Sequence, residues 1–166
     1  MTTVSIGDLP DPATVAAVHQ LYGFQSHHID NGRAADWAAT FTPAGEFHSP
    51  SYPAPVTGTA ALTEFARAFH DAARAADEVH RHVVTNIAVR RRDSSTLEVG
   101  AYLQIMATPR GGSARLVRMT TIEDRLELTG DRWSVAHRRV SRDDAPQRQA
   151  APRPRTDFHT ISEDNR

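Results

Sequence analysis

Cysteine is absent from this chain of 166 residues, which excludes disulfides, thiol nucleophiles and cysteine-ligated zinc or iron–sulfur centres. Lysine is absent too, and all 19 basic residues are arginine. Schiff-base chemistry on a lysine and any lysine-dependent phosphate loop are therefore ruled out. No apolar run approaches the ~20 residues of a membrane span, and the first residues do not have the layout of a signal peptide. A cytoplasmic protein is expected. Charge of one sign is also missing, since 19 basic residues face 20 acidic ones for a net charge of −1. Nucleic acids and anionic membranes attract a basic excess on one face, so neither is an expected partner. Hydrophobic residues make up 39% of the chain, enough for a real core. The length fits one domain on a scale of roughly 100–200 residues.

The first half has helical periodicity. Asp11 and Pro12 suit a helix cap and first turn, and Val15, Val18, Leu21, Tyr22 and Ile29 then recur at helical spacing. That helix, over Ala13 to His28, is stopped by Asn31-Gly32. A second is expected over Ala34 to Phe41, and a third, capped by Thr59, ends near Ala76. Between them Phe47 sits in a short strand, and the proline-rich stretch from Ser49 to Pro55 reads as a rigid loop. The second half changes period. Val79 to Arg91, Thr96 to Thr108, Arg115 to Leu128 and Arg132 to Arg142 read as strands joined by short polar turns. Helices first and strands second define an α+β domain over residues 1–142, its antiparallel meander covered on one face by three helices. Residues 143–166 form a polar, proline- and arginine-rich tail, relieved only by Phe158 and Ile161. Its composition predicts mobility, with docking onto a groove as the alternative.

The order of these signals resembles the SnoaL-like branch of the nuclear transport factor 2-like superfamily. The matching residues are Leu21-Tyr22 with Asp30, Asp36-Trp37, Phe41-Thr42 and Glu46-Phe47. Gly58 to Leu62 with Phe65, Arg81-His82 through Asn86, and Trp133 through Val140 follow in the same order. The resemblance spans Val15 to Val140 and implies a cone: a strongly curved antiparallel sheet wrapped around the helices, a cystatin-like α+β barrel. It also implies a deep apolar pocket and a homodimer packed through the outer sheet surface. Relatives of this kind include polyketide cyclases, dehydratases, isomerases and some hydroxylases, but also binding proteins and structural subunits. Fold alone therefore does not give the activity.

His82 and Asn86 lie four residues apart on a predicted strand and so share a face with His80. On the concave face His82 can exchange a proton near neutral pH, and Asn86 can orient it or bind an oxyanion. The other reading is a structural histidine bonded to a carbonyl. Asp30 ends the first helix, where an acid meets the unfavourable end of the dipole, so a His–Asp pair would justify it. Otherwise it bonds the following turn. The resemblance places a tyrosine five residues before this aspartate, and here that position is Gln25. Tyr22 is the possible stand-in, about 80° around the helix from Asp30, while His19 falls within roughly 20° of it. Core packing is the alternative for both. Tyr102 and Gln104 share a strand face and can reach a polar ligand, as can His137, with Trp37 as a further pocket residue. Asp124 and Arg138, on successive strands, read as a register-locking ion pair.

Nine histidines, with His48, His70 and His80 among them, raise the question of a metal. No further ligand motif stands at a recognised spacing, so neither metal nor cofactor is expected. The expected function is a cyclase, dehydratase or isomerase acting on a bulky, mostly apolar small molecule in polyketide or other secondary metabolism. General acid–base catalysis would run through His82 with Asp30 and Asn86. A non-catalytic binding or structural module and a cofactor-free hydroxylase are the alternatives.

Overall fold

A computed structural model describes residues 9–144. The expectations for the rest of the tail, including Phe158 and Ile161, lie outside the described residues. Helix α1 spans Pro12–Asp30. The Asp11 carboxylate caps it, accepting from the Thr14 backbone N–H at 2.9 Å and from the Thr14 hydroxyl at 2.7 Å. One stripe of α1 is buried, formed by Val18, Tyr22, Gln25 and Ile29. The chain leaves the helix through Gly32, whose φ of 71° suits a residue without Cβ.

Helix α2, Ala34–Ala38, is shorter than expected, because Phe41 already belongs to strand β1, Phe41–His48. Strand β2 is only Val56–Thr57, and α3 runs Thr59–Ala75. Gly58, at φ 83°, is the cap residue of α3, and Thr59 is its first helical residue rather than the cap. Strands β3 (Glu78–Arg91), β4 (Thr96–Pro109), β5 (Arg115–Thr129) and β6 (Arg132–Arg142) follow. No helix among the described residues is long and apolar enough to cross a membrane.

The six strands lie in the order β2-β1-β6-β5-β4-β3. The four long ones form the expected antiparallel meander. The sheet as a whole is mixed, however, because β1 runs parallel to β6. These two strands come from opposite halves of the chain, so no hairpin turn imposes an antiparallel sense on them. The sheet is also less curved than the expected cone. Its edge strands β2 and β3 do not meet, and it stays open rather than closing into a barrel.

Side chains alternate along each strand, and the inward row is apolar: Leu97, Val99, Ala101 and Ile105 on β4, Ile122 and Leu126 on β5. Helices α1 and α3 cover this face. Each fully buried aliphatic side chain contributes about 1.5–3 kcal/mol, which makes the alternation decisive for register.

Candidate active site

The C-terminus of α1 meets the middle of β3 at Asp30 and His82. The Asp30 carboxylate accepts the His82 backbone N–H at 3.1 and 3.2 Å and lies 2.6 Å from ring atom Nδ1. Both side chains are nearly buried, His82 10% and Asp30 6% exposed. These bonds offset the poor placement of an acid at a helix C-terminus. With the carboxylate accepting, Nδ1 is the donor, and in a neutral ring Nε2 is then the nitrogen with the lone pair. His82 borders a cavity of about 70 Å³, and Nε2 has no protein partner among the described residues.

The cavity wall is mostly aromatic. Trp37 and Phe47 each pack on Phe65, with ring centroids 5.6 and 4.7 Å apart, and Phe69 tilts against His82 at 5.1 Å. Tyr52, from the loop between β1 and β2, stands edge-on to Phe65 and is 41% exposed at the rim. Arg118 and Arg142 also line the cavity, so its polar side is basic. Of these wall residues, Trp37 was expected from the sequence. Phe47, Phe69, Arg118 and Arg142 were not expected as site residues. Arg118 shares strand parity with Thr120 and Ile122, which is the signal that places it inward.

Behind the cavity runs a buried polar network. Arg138 donates through Nε and a terminal nitrogen to Asp124, at 2.9 and 2.6 Å, and donates to Gln25 Oε1 at 2.8 Å. Gln25 donates in turn to the Thr40 hydroxyl at 2.7 Å, and the Tyr22 hydroxyl donates to Asp124. Burial opposes the Arg138 charge, but the adjoining Asp124 carboxylate outweighs it and the net shift stabilises the cation. Burial first, and then the Asp124 charge, pushes the Tyr22 phenol well above its ordinary value. Gln25 thus bridges Arg138 to Thr40 within this network. Tyr22 belongs to this network and borders a second, narrower cavity of about 30 Å³ that shares His82 and Arg138.

Several expected site residues lie elsewhere. Asn86 is exposed, with φ 53°, in a bulge between Thr85 and Ala88. The extra residue shifts the alternation and turns Asn86 away from the face of His82. Tyr102 and Gln104 occupy the outer row of β4, and Tyr102 is 46% exposed, because Leu103 and Ile105 take the inward positions. His137 also faces outward, beside His48, since its neighbour Arg138 is the inward residue. His19 is exposed on α1, outside the buried stripe.

An open sheet under two helices thus carries a buried His–Asp pair beside an aromatic cavity. This chain belongs to the SnoaL-like domain family, whose profile matches residues 12–139. Its fold is similar to that of Aln2 from a Streptomyces species, at 28% identity and TM-score 0.74, over 82% of this chain and 95% of that one. It is also similar to a protein from Catenulispora acidiphila solved in complex with S-DNPA, at 28% identity and TM-score 0.69, over 79% and 94%. An NTF2-like protein with a cystatin-like fold from Novosphingobium aromaticivorans matches at 17% identity and TM-score 0.71, over 86% and 94%, which establishes the cystatin-like fold. No curated protein matches the chain.

Proposed function

We propose that this protein is a cofactor-independent cyclase, dehydratase or isomerase that processes a bulky, mostly apolar small molecule by acid–base catalysis. The observation that carries this reading is His82, held through Nδ1 by Asp30 with Nε2 left to an aromatic cavity. Nε2 takes a proton from a carbon beside a carbonyl, or from a hydroxyl, and the Asp30 carboxylate stabilises the imidazolium that results. The same proton then goes to a departing hydroxyl in a dehydration, or to the new oxygen or carbon in a ring closure or isomerisation. The aromatic wall excludes water and holds the substrate in a reactive conformer. Family membership and a relative solved with S-DNPA support a small-molecule ligand.

The cavity has room for only a few waters as it stands. A bulky substrate enters by displacing the exposed Tyr52 ring at the rim. The proposal includes a cytoplasmic setting in polyketide or other secondary metabolism. It also includes a homodimer through the outer sheet face, where Val83 and Tyr102 lie 41% and 46% exposed. A binding module without chemistry is favoured by one observation, the commitment of Gln25 and Tyr22 to the buried network.

The test is incubation with a panel of fused-ring hydroxyketones in deuterated water, followed by mass spectrometry. Deuterium uptake, water loss or ring closure that disappears in His82→Ala supports catalysis. Saturable binding of the panel with no such change in the wild type supports the binding module instead.

A further inference from the structure

We propose that Glu46, His48 and His137 form a binding site for a divalent metal ion of the zinc class, on the sheet face opposite the cavity. The site is built by the parallel contact of β1 and β6. Glu46 and His48 are two residues apart on β1 and so share a face, and Glu46 stands directly beside His137 in the register. The inner neighbours of these residues, Phe47 and Arg138, point the other way into the cavity wall.

One ligand atom from each of the three side chains lies within 4.8 Å of the others. Tetrahedral zinc ligands at 2.0–2.2 Å stand about 3.4 Å apart, so the three close on an ion by small side-chain rotations. The shortest pair, His48 Nε2 to Glu46, is 2.8 Å and opens slightly. His48 and Glu46 side chains are 34% and 42% exposed, which leaves a fourth position for water. Two imidazoles with one carboxylate select zinc, cobalt or nickel over magnesium or calcium, which take oxygen ligands.

The Glu46–His48 bond by itself accounts for two of the three groups but leaves His137 with no hydrogen-bond partner among the described residues. Arg125 and Arg139 stand beside His137 and oppose a cation, which limits the affinity. Arg125 is partly occupied by Glu127, at 3.6 Å.

Such an ion fastens β1 to β6 at the start of their regular pairing, just past the register shift between Phe41 and Glu46. It acts on the structure of the cavity wall and takes no part in proton transfer at His82. The test uses tag-free protein stripped with a chelator, titrated with zinc by calorimetry and with cobalt by visible spectroscopy. One saturable equivalent per chain is expected, with tetrahedral cobalt bands and a melting temperature that rises with zinc. His137→Gln and Glu46→Gln should each weaken binding at least about tenfold while circular dichroism stays native. His27→Gln, at an exposed position on α1, should leave it unchanged. Absence of saturable zinc binding overturns the proposal, as does undiminished binding in either folded site variant.

Discussion

Asp30 grips His82 by both its backbone and its ring, at 3.1 and 3.2 Å to the amide nitrogen and 2.6 Å to Nδ1. The carboxylate therefore fixes where β3 passes the end of α1 and holds the ring by Nδ1, which leaves Nε2 without a protein partner among the described residues. His82→Ala should lower turnover roughly 10²–10⁴-fold, the usual value of a general acid or base, with ligand binding retained. Asp30→Asn should lower it less, because an amide oxygen still orients the ring but carries no charge to stabilise the imidazolium. Steady-state kinetics beside calorimetric ligand binding separates these outcomes from loss of the fold.

The Asp124–Arg138 pair is expected to dominate the stability of the sheet centre. Asp124 is fully buried and Arg138 6% exposed, so removing either leaves an uncompensated buried charge. Asp124→Ala should cost about 3–5 kcal/mol in urea unfolding. The double change Asp124→Leu with Arg138→Met should recover most of that loss, since it removes both desolvation penalties together.

Tyr22 predicts a pH dependence. Its phenol is raised by burial and by Asp124, so the folded protein holds this proton more tightly than the unfolded chain. The associated stability is complete below the unfolded value of about 10 and is lost as pH rises above it. In the variant with Tyr52→Phe and Tyr102→Phe, Tyr22 is the only tyrosine. Phenolate absorbance near 295 nm should then appear only together with alkaline unfolding. A titration at ordinary pH in native protein would contradict the buried bond.

Asn86 should matter to the backbone and not to the reaction. Its φ of 53° favours asparagine or glycine. Asn86→Val should destabilise by roughly 1–2 kcal/mol through the strained left-handed conformation. Asn86→Gly should fold normally, and turnover should change by less than about threefold in both. A large loss of turnover in Asn86→Gly would return this residue to the catalytic group.

Local chemistry accounts for what was legible in the sequence. Asp11-Pro12 starts α1 and Asn31-Gly32 ends it, because caps and left-handed residues act within a few positions. The four long strands follow from period-two alternation, which also sets His82 against its neighbours Arg81 and Val83. Parity fails wherever a bulge intervenes, and bulges are decided by pairing with a distant strand. The one between Thr85 and Ala88 moved Asn86 out of the site. Composition by itself excluded cysteine and lysine chemistry. Only the tertiary structure decided that β1 lies parallel to β6, that the sheet stays open, and that Gln25 bridges Arg138 and Thr40. It likewise brought His137 to Glu46 and His48, and His82 to Asp30. These partners are far apart along the chain, so their meeting depends on how a whole helix-covered sheet packs, which no local pattern of residues encodes.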